Sequence, residues 1–145
     1  MRIRPAAPAD AEAVADVFLA AKAEMTYLPD LHTDAETRCW LGDVVLHDLE
    51  VWIAEDDGRV VGFAALGEDL LEHLYVHPEA QNHRVGATLL AVAKERRPRA
   101  LRLWVFQKNL GARRFYERHG FTLVRLTDGR ANEEREPDAL YEWQP

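Results

Sequence analysis

The sequence predicts one mixed α/β domain over residues 1–145. Short apolar runs with strand character alternate with longer runs of helical periodicity, and two of the strand runs are joined by Asp56-Asp57-Gly58. An Asp-Gly pair readily adopts the positive φ angles of a tight turn, so an antiparallel hairpin is expected there. A helical run between two later strands supplies a crossover connection. The expected order is β-α-α-β-β-β-α-β-α-β-β.

Two helices are predicted in the first half of the chain. Apolar residues recur at helical spacing after Pro8–Asp10, and Tyr27-Leu28-Pro29 ends this first helix. Thr33-Asp34-Ala35-Glu36 begins a second helix that extends to about His47. The strands expected around these helices are Ile3–Ala6, Glu50–Glu55, Arg59–Leu66 and Leu70–Val76.

The second helix is expected to place Trp40, Leu41, Val44 and Val45 on one apolar side. Cys39 lies in the same run and is predicted to be a small buried apolar residue, with a thiol nucleophile as the alternative. A single cysteine excludes a disulfide framework and a cysteine-built zinc site. The six histidines show no metal-ligand spacing, so no metal is predicted.

The second half of the chain continues to alternate between helices and strands. A helix over Gly86–Arg97 is expected to end before Pro98. Asn109 is a suitable N-cap for a further helix through His119, and Gly120 is a suitable left-handed terminator. The remaining strands are expected at Ala100–Phe106, Phe121–Leu126 and Ala139–Trp143.

Composition narrows the class of protein. The chain is 48% apolar and 9% aromatic, which is typical of a packed globular domain. Its beginning lacks the apolar core of a signal peptide, and no apolar run approaches the roughly 20 residues of a membrane span, so a cytoplasmic protein without membrane contact is expected. A formal net charge of −7 argues against general affinity for nucleic acid.

Charge is distributed unevenly along the chain. The stretch from Lys94 to Arg118 contains nine Lys or Arg residues against Glu95 and Glu117, whereas the last twenty residues are predominantly acidic. A basic middle beside acidic flanks is able to bind an anionic ligand next to a cationic one. Two solvated faces would explain the same pattern.

The segment from Leu74 to Leu90 has the form strand, loop and helix, with Gly86 at the start of the helix. The free backbone N–H groups of a helix start, together with the helix dipole, attract anions, and a glycine lets a pyrophosphate come close. One such glycine also fits an ordinary strand-to-helix connection.

Two motifs carry a resemblance to a known family. Gln81, Gly86 and Ala87 match the pattern Gln/Arg-x-x-Gly-x-Gly/Ala, in which Arg84 replaces the first glycine. The segment from Asn109 to Phe121 matches N-x-x-A-x-x-F-Y-x-x-x-G-F at every named position. The chain therefore resembles the Gcn5-related N-acetyltransferases, and the order of its elements is similar over essentially the whole length.

This resemblance implies a fold and a ligand. The fold is a strongly twisted sheet of six or seven strands flanked by about four helices, in which the fourth and fifth strands splay apart. The ligand is acetyl-coenzyme A, a co-substrate whose pantetheine arm follows the fourth strand. The residues that the resemblance places against it are Leu74, Tyr75 and Val76 for the pantetheine, and Gln81, Asn82, His83, Arg84, Val85, Gly86, Ala87 and Thr88 for the pyrophosphate. Proteins of this family often form dimers, so a homodimer is a further expectation.

Arg84 leaves two interpretations open. If this position requires a positive φ, a residue other than glycine costs roughly 1–2 kcal/mol. If its backbone is ordinary, its side chain is able to help hold a phosphate.

The resemblance also assigns two residues of the predicted last helix. Tyr116 matches the family's general acid, whose phenol protonates the thiolate that leaves when the amine attacks; packing beside Phe115 is the alternative. Asn109 matches the residue that contacts the pantetheine and caps the helix, and capping alone would also explain it.

The general base has two candidates. An ammonium group with a pKa near roughly 10 must lose a proton before it attacks, and the family often uses a Glu on the fourth strand. Glu72 is preferred and Glu68 is the alternative, because the two share strand parity; a solvated acidic strand end is the third interpretation. His73 points to the opposite face and is predicted to be a packing or surface residue, and His32 is a minor candidate for substrate contact.

The resemblance implies acetyl transfer to a primary amine by direct attack in a ternary complex, because no placed nucleophile for a covalent intermediate appears. Acceptor identity is expected to depend on Met25–Glu36 and Thr127–Asp138, whose acidic residues favour a small cationic amine. Two alternatives remain: acetylation of a protein at its N-terminus or at a lysine, and a non-catalytic module that binds the coenzyme.

Overall fold

The computed structural model describes residues 1–81 and 84–145 and divides the strands between two antiparallel sheets. The first sheet has the order β1-β2-β3-β4 and the second has the order β5-β7-β6. These strands are β1 (Arg2–Pro5), β2 (Glu50–Asp56), β3 (Arg59–Leu66), β4 (Leu71–Val76), β5 (Leu101–Phe106), β6 (Thr122–Leu126) and β7 (Asp138–Trp143). The mixed α/β prediction is confirmed. Most element ends differ from the expected ones by one or two residues, whereas the first helix ends at Ala23, several residues before Tyr27.

The helices surround these sheets. They are α1 (Ala11–Ala23), α2 (Asp34–Trp40), α3 (Leu46–Asp48), α4 (Val85–Arg96) and α5 (Leu110–Arg118). A π-helical turn at Leu41–Val45 joins α2 to α3, so these three pieces form one continuous helical segment. The start of α2 is fixed by a capping box, in which the Thr33 hydroxyl accepts from the Glu36 amide (3.1 Å) and the Glu36 carboxylate accepts from the Thr33 amide (2.8 Å).

The β2–β3 hairpin forms where the sequence predicts it. Asp57 and Gly58 both have positive φ angles, 51° and 74°, which is the requirement of a two-residue turn that follows the natural strand twist. Glu50 to Asp56 then pairs with Leu66 to Arg59 in antiparallel register.

The two sheets meet at one point. Leu70 and Arg102 form an isolated parallel bridge, and the Arg102 amide donates to the Asp69 carbonyl (2.9 Å). Beyond this bridge the described residues of β4 and β5 are not paired with each other, although the two strands run in the same direction. The splayed arrangement implied by the resemblance is therefore present, and it opens toward the carboxyl ends of both strands.

The hydrophobic core has two parts, one on each face of the first sheet. One part packs α1 and the α2–α3 segment against residues such as Ile53 and Phe63. The other packs α4 and α5 against both sheets and includes Leu89, Leu103 and Tyr141. Because both parts contact β4, the position of this strand is fixed from both sides.

The second helical segment differs from its prediction. Thr37, Leu41 and Val45 are buried, whereas Cys39 and Trp40 are exposed. Leu41 and Val45 are buried as predicted, whereas Trp40 and Val44, predicted on the same side, are exposed. The buried residues recur every four positions through the π-helical turn, so the buried side is narrower than the predicted one. The prediction that Cys39 is buried is therefore wrong.

No helix in the described ranges combines the length and the apolar character that a bilayer span requires.

Candidate functional site

A cavity of about 930 Å³ lies between β4 and β5, and we call it the interstrand cavity. Its walls come from β4, β5, the first turn of α4, α5 and the chain that follows α1. A volume of this size accommodates a large organic ligand.

The edge of β4 that faces the cavity has main-chain groups that are not paired with another strand among the described residues. The His77 amide donates to the Val61 carbonyl (2.8 Å), and Val76 is the direct partner of Gly62. Because bonded and non-bonded pairs alternate along an antiparallel ladder, the N–H and C=O groups of Leu74 and Val76 point away from β3 and toward the cavity. An extended ligand is able to hydrogen-bond there as an added strand.

Arg84 takes the left-handed conformation, with φ 62° and ψ 14°, at the N-cap of α4. The structure therefore selects the interpretation in which this position favours glycine. The arginine side chain still lies on the cavity wall. The strained backbone of Arg84 does not prevent its side chain from contacting a ligand.

The first turn of α4 presents backbone N–H groups to the cavity. Val85, Gly86 and Ala87 line it, and their amides precede the first hydrogen bond of the helix. Thr88 differs, because its amide (3.0 Å) and its hydroxyl (2.8 Å) both donate to the Arg84 carbonyl and it does not line the cavity. The Thr88 amide is therefore not available to a phosphate.

Gln81 also lines the cavity, and its side-chain amide donates to the Val76 carbonyl (3.4 Å). Two of the predicted phosphate-binding residues, Asn82 and His83, lie outside the described residues. Gly86 packs closely against the following helix, since a Cβ at this position would lie 3.4 Å from the Phe115 ring. Its lack of a side chain thus serves helix packing as well as access to the amides.

Helix α5 begins and is positioned as the sequence predicts. The Asn109 side chain accepts a hydrogen bond from the Ala112 amide (3.2 Å), which confirms the N-cap. Asn109 also lines the cavity, so the cap and a ligand contact are compatible.

Tyr116 lies on the buried side of α5, with 8% of its surface exposed. Its ring packs edge-on against Phe115 (5.3 Å) and Phe121 (5.6 Å), and it lines the cavity. Its hydroxyl forms no hydrogen bond with the residues that the structure describes, whereas the Tyr141 hydroxyl bonds to both Arg113 and Glu117. Burial raises the pKa of the Tyr116 hydroxyl, so it stays protonated at neutral pH.

Glu72 occupies a β-bulge in β4. Ala65 pairs with His73 and Leu66 pairs with Leu71, which leaves Glu72 as the extra residue. The side chain of Glu72 is exposed and lies against the turn before the strand, 3.2 Å from where a Cβ of Gly67 would be. Glu72 also lines the cavity at the end where β4 and β5 meet.

Glu68 does not lie where the sequence places it. It is in the exposed turn before β4 and does not line the cavity. The prediction that Glu68 and Glu72 lie on the same face of β4 is wrong for two reasons. The strand begins only at Leu71, and the bulge at Glu72 interrupts the alternation of faces.

His73 is a packing residue, as predicted. Its ring lies among Phe18, Trp40, Phe63 and Tyr75 at centroid distances of 5.3 to 6.5 Å. Burial lowers its pKa to about 4, so the imidazole is neutral at pH 7.

Tyr75 lies on the same face of β4 as His73. Burial raises the pKa of Tyr75 to about 12, with a further contribution from the negative charge of Glu134. The His73 and Tyr75 rings form an aromatic wall between α1 and the cavity.

The cavity has charged groups of opposite sign in its walls. Arg84, Lys108 and Arg118 are basic, and Lys108 is paired with Glu136 (2.8 Å). Glu24 and Glu72 are the acidic members of the described lining. Glu24 follows α1 directly, and sequence analysis missed it because nothing in the local pattern shows that the end of α1 reaches the β4–β5 opening.

The two segments predicted to recognise the acceptor contact each other. The His32 ring and the Glu133 carboxylate are within hydrogen-bonding distance and join the two segments. Met25 and Tyr27 of the first segment line the cavity, whereas no described residue of Thr127–Asp138 does so. Within the described ranges, no three or more His, Cys, Asp or Glu residues form a group that could hold a metal ion.

The chain is similar in sequence to known acetyltransferases. A family model described as the acetyltransferase (GNAT) domain matches residues 47–123, just over half of the chain. The peptidyl-lysine N-acetyltransferase YiaC of Escherichia coli (strain K12) is 35% identical over 83 residues, which are 57% of this chain and 56% of that protein. The chain spans about half the length of the curated relatives it matches.

Two solved structures show the same fold. A GCN5-related N-acetyltransferase from Rhodopseudomonas palustris superposes with a TM-score of 0.79 at 24% identity, over 99% of this chain and 95% of that one. The PaiA N-acetyltransferase of Thermoplasma acidophilum, solved in complex with coenzyme A, superposes with a TM-score of 0.72 at 21% identity, over 99% and 98% of the two chains.

Proposed function

The chain belongs to the Gcn5-related N-acetyltransferase (GNAT) family, and from this premise we propose that it transfers an acetyl group from acetyl-coenzyme A to a primary amine. The observation that carries the proposal is the interstrand cavity, which combines a strand edge without a paired strand, a helix start with free amides and a largely buried tyrosine side chain. The elements on which these features lie are those that the two sequence motifs identify.

The cavity fits an acyl-coenzyme A along its length. The main-chain groups of Leu74 and Val76 suit the amides of a pantetheine arm, which would lie as an added strand. The amides of Val85, Gly86 and Ala87 suit a pyrophosphate, and the helix dipole of α4 adds to the attraction. Arg84 and Arg118 place positive charge on the same walls.

Tyr116 would supply the proton for the departing thiolate. Its hydroxyl is protonated at neutral pH, makes no hydrogen bond with a described residue and faces the cavity. A phenol so placed is able to donate a hydrogen bond as negative charge develops on sulfur, and then to transfer its proton.

Glu72 would receive the proton of the acceptor amine. It lies at the bulge of β4, at the closed end of the opening, with a carboxylate that is exposed to solvent. Proton transfer from an ammonium group to this carboxylate, directly or through one water, leaves a neutral amine that attacks the acetyl group. Glu68 does not line the cavity, so we do not propose it for this role.

The acceptor has two candidate classes. A small cationic amine is favoured by Glu24 and Glu72 in the cavity wall. A protein lysine is favoured by the similarity to the peptidyl-lysine N-acetyltransferase YiaC. Both acceptors are primary amines on flexible carbon chains, so the chemistry at Tyr116 and Glu72 is the same.

The proposal is tested by thiol release from acetyl-coenzyme A in the presence of a panel of small amines and lysine-containing peptides. Amine-dependent release, with the acetylated product identified by mass spectrometry, is the expected result. Binding of the coenzyme without turnover on any amine would contradict the proposal and support the non-catalytic module. The relative kcat/KM for amines and peptides separates the two acceptor classes.

A further inference from the structure

Two carboxylates reach the interstrand cavity from different elements. Glu72 belongs to β4, and Glu24 caps the carboxyl end of α1. Within residues 1–81 and 84–145 neither carboxylate forms an ion pair with a basic side chain. Under the proposed function, one carboxylate is sufficient to take the proton of the reacting amine.

The position of Glu24 relative to β4 is fixed by packing. Phe18 of α1 is buried, and its ring lies edge-on against His73 (6.1 Å) and Tyr75 (5.1 Å). Ala21, one turn later, is buried and lines the cavity. Glu24 follows one turn after Ala21, so the same side of the helix carries it toward the cavity.

The end of α1 is also the negative end of its dipole. This helix has 13 residues, and its last carbonyl groups carry partial negative charge beside Glu24. A cation bound there interacts with the carboxylate and with the helix end together. The wall beside it contains the rings of Tyr27 and Tyr75, which suit a methylene chain.

The chemistry of the transfer separates the roles of the two carboxylates. The reacting nitrogen must be neutral when it attacks, so it does not remain as a charged partner for a carboxylate. A second amino group on the same acceptor keeps its charge at neutral pH, because its pKa is near roughly 10. Glu24 is placed to pair with that second charge.

We propose that Glu24 is a specificity residue that binds a second positive charge on the acceptor, so that the preferred small acceptor is an amine with two cationic groups. This inference rests on the proposed function and deepens it by naming the substrate class. The acetylated amino group lies toward Glu72 and Tyr116, and the charged one lies toward Glu24.

The test compares an unbranched diamine with the monoamine of the same chain length. Wild type is expected to have the higher kcat/KM for the diamine. Glu24→Gln is expected to lower kcat/KM for the diamine roughly fivefold, mainly through KM, because an exposed ion pair has about this strength. The loss of kcat/KM for the monoamine is expected to be much smaller. Glu24→Asp keeps the charge and is expected to recover most of the preference.

Glu95→Gln is the matched control, because Glu95 is exposed on α4 and does not line the cavity. It is expected to change neither reaction. An equal loss for both amines in Glu24→Gln, or no preference for the diamine in wild type, would overturn the inference while the proposed function stands. If wild type acetylates no amine although it binds the coenzyme by calorimetry, the proposed function itself fails.

Discussion

Tyr116 and Tyr141 belong to the same part of the core, yet their hydroxyl groups differ in hydrogen bonding. The Tyr141 hydroxyl accepts a hydrogen bond from Arg113 (3.0 Å) and donates one to Glu117 (2.7 Å), so its proton is already bound to another side chain. The Tyr116 hydroxyl has no such partner among the described residues and faces the cavity. A hydroxyl that no described residue uses is available to hydrogen-bond to a ligand in the cavity.

Tyr116→Phe removes only this hydroxyl and keeps the ring packing against Phe121. We expect kcat to fall by about 10²–10⁴-fold while affinity for the coenzyme changes little, because the hydroxyl acts when charge builds on sulfur. Steady-state kinetics with calorimetry of coenzyme binding measure both effects. Turnover at the wild-type rate across the pH range would show that the acid is another group.

Glu72→Gln tests the general base. The variant is expected to lose rate most strongly near neutral pH and to recover at high pH, where the acceptor amine deprotonates without help. The pH profile of kcat/KM is the measurement, with Glu68→Gln beside it. A loss confined to Glu68→Gln would transfer the role to the turn before β4, and a loss in Glu72→Gln without recovery would indicate a structural role for the bulge.

Arg84 combines a strained backbone with a charged side chain on the cavity wall. Arg84→Gly relieves the left-handed strain, so the free energy of unfolding is expected to rise by about 1 kcal/mol. Arg84→Ala keeps the strain and removes the charge. Both variants are expected to bind acetyl-coenzyme A more weakly and with less dependence on salt, because a cation near the phosphates is lost.

Thermal unfolding and calorimetry at two salt concentrations separate these contributions. If Arg84→Gly is no more stable than Arg84→Ala, the backbone strain is not significant. Unchanged affinity in both variants would show that the side chain does not contact a phosphate.

At the scale of elements, the β4 bulge shows what sequence patterns leave out. The existence of β4 and its end before Pro78 follow from apolar residues and a proline. The extra residue at Glu72 does not, because a bulge depends on how β3 pairs with β4 and leaves no local signature. Counting alternate residues along β4 alone therefore places Glu68 wrongly relative to Glu72.

Turns, in contrast, follow closely from local sequence. Asp57-Gly58 adopts the predicted positive φ angles, and the Asn109 cap begins α5 at the predicted position. Both depend on interactions within four residues. Local sequence does not predict Glu24 as a cavity residue, because its place depends on the packing of α1 against β4.

Gly129 and Gly58 give a matched pair for testing the loop before β7. Both have positive φ angles, 83° and 74°. A Cβ at Gly129 would lie 2.4 Å from the Glu136 carbonyl carbon, whereas a Cβ at Gly58 has no neighbour within 4 Å. Gly58→Ala is therefore expected to cost about 1 kcal/mol of backbone strain, and Gly129→Ala clearly more.

Denaturant unfolding of the two variants measures this difference. Because the loop pairs with His32 through Glu133, Gly129→Ala is also expected to disturb the segment after α1. Equal destabilisation by both substitutions would mean that the close backbone approach is not needed for the fold.

At the scale of the whole molecule, two partly buried groups, His73 and Glu50, predict the response to acid. Burial lowers the pKa of His73 to about 4, below that of an exposed histidine. Burial would raise the pKa of Glu50, but hydrogen bonds from Trp52, Arg96 and Arg97 outweigh it and lower the pKa to about 2. In both cases the unfolded state binds protons more readily than the folded state.

The signs of these shifts give two successive windows. The contribution of His73 is complete above about pH 6.5 and is lost as the pH falls toward 4, whereas that of Glu50 is lost between about 4.5 and 2. His73→Phe keeps an aromatic ring and removes the titration, so its free energy of unfolding is expected to vary less between pH 7 and 4. Urea unfolding at several pH values checks this; parallel curves for variant and wild type would contradict the assignment.

The order of elements, the hairpin and the two motifs were accessible from sequence because each depends on neighbouring residues. The width of the β4–β5 opening was not, because it arises where the Leu70–Arg102 bridge ends and two sheets diverge. The polarity of the cavity likewise depends on remote elements, with Arg118 from α5 and Glu24 after α1 on its walls.

The central claim is that the interstrand cavity binds acetyl-coenzyme A with its thioester at Tyr116. A crystal structure of the protein with coenzyme A tests this claim most directly. We expect the pantetheine to hydrogen-bond to the main chain of Leu74 and Val76, the phosphates to lie on the amides of Val85 to Ala87, and the sulfur to lie beside the Tyr116 hydroxyl. Coenzyme bound outside this opening, or bound with its sulfur remote from Tyr116, would contradict it.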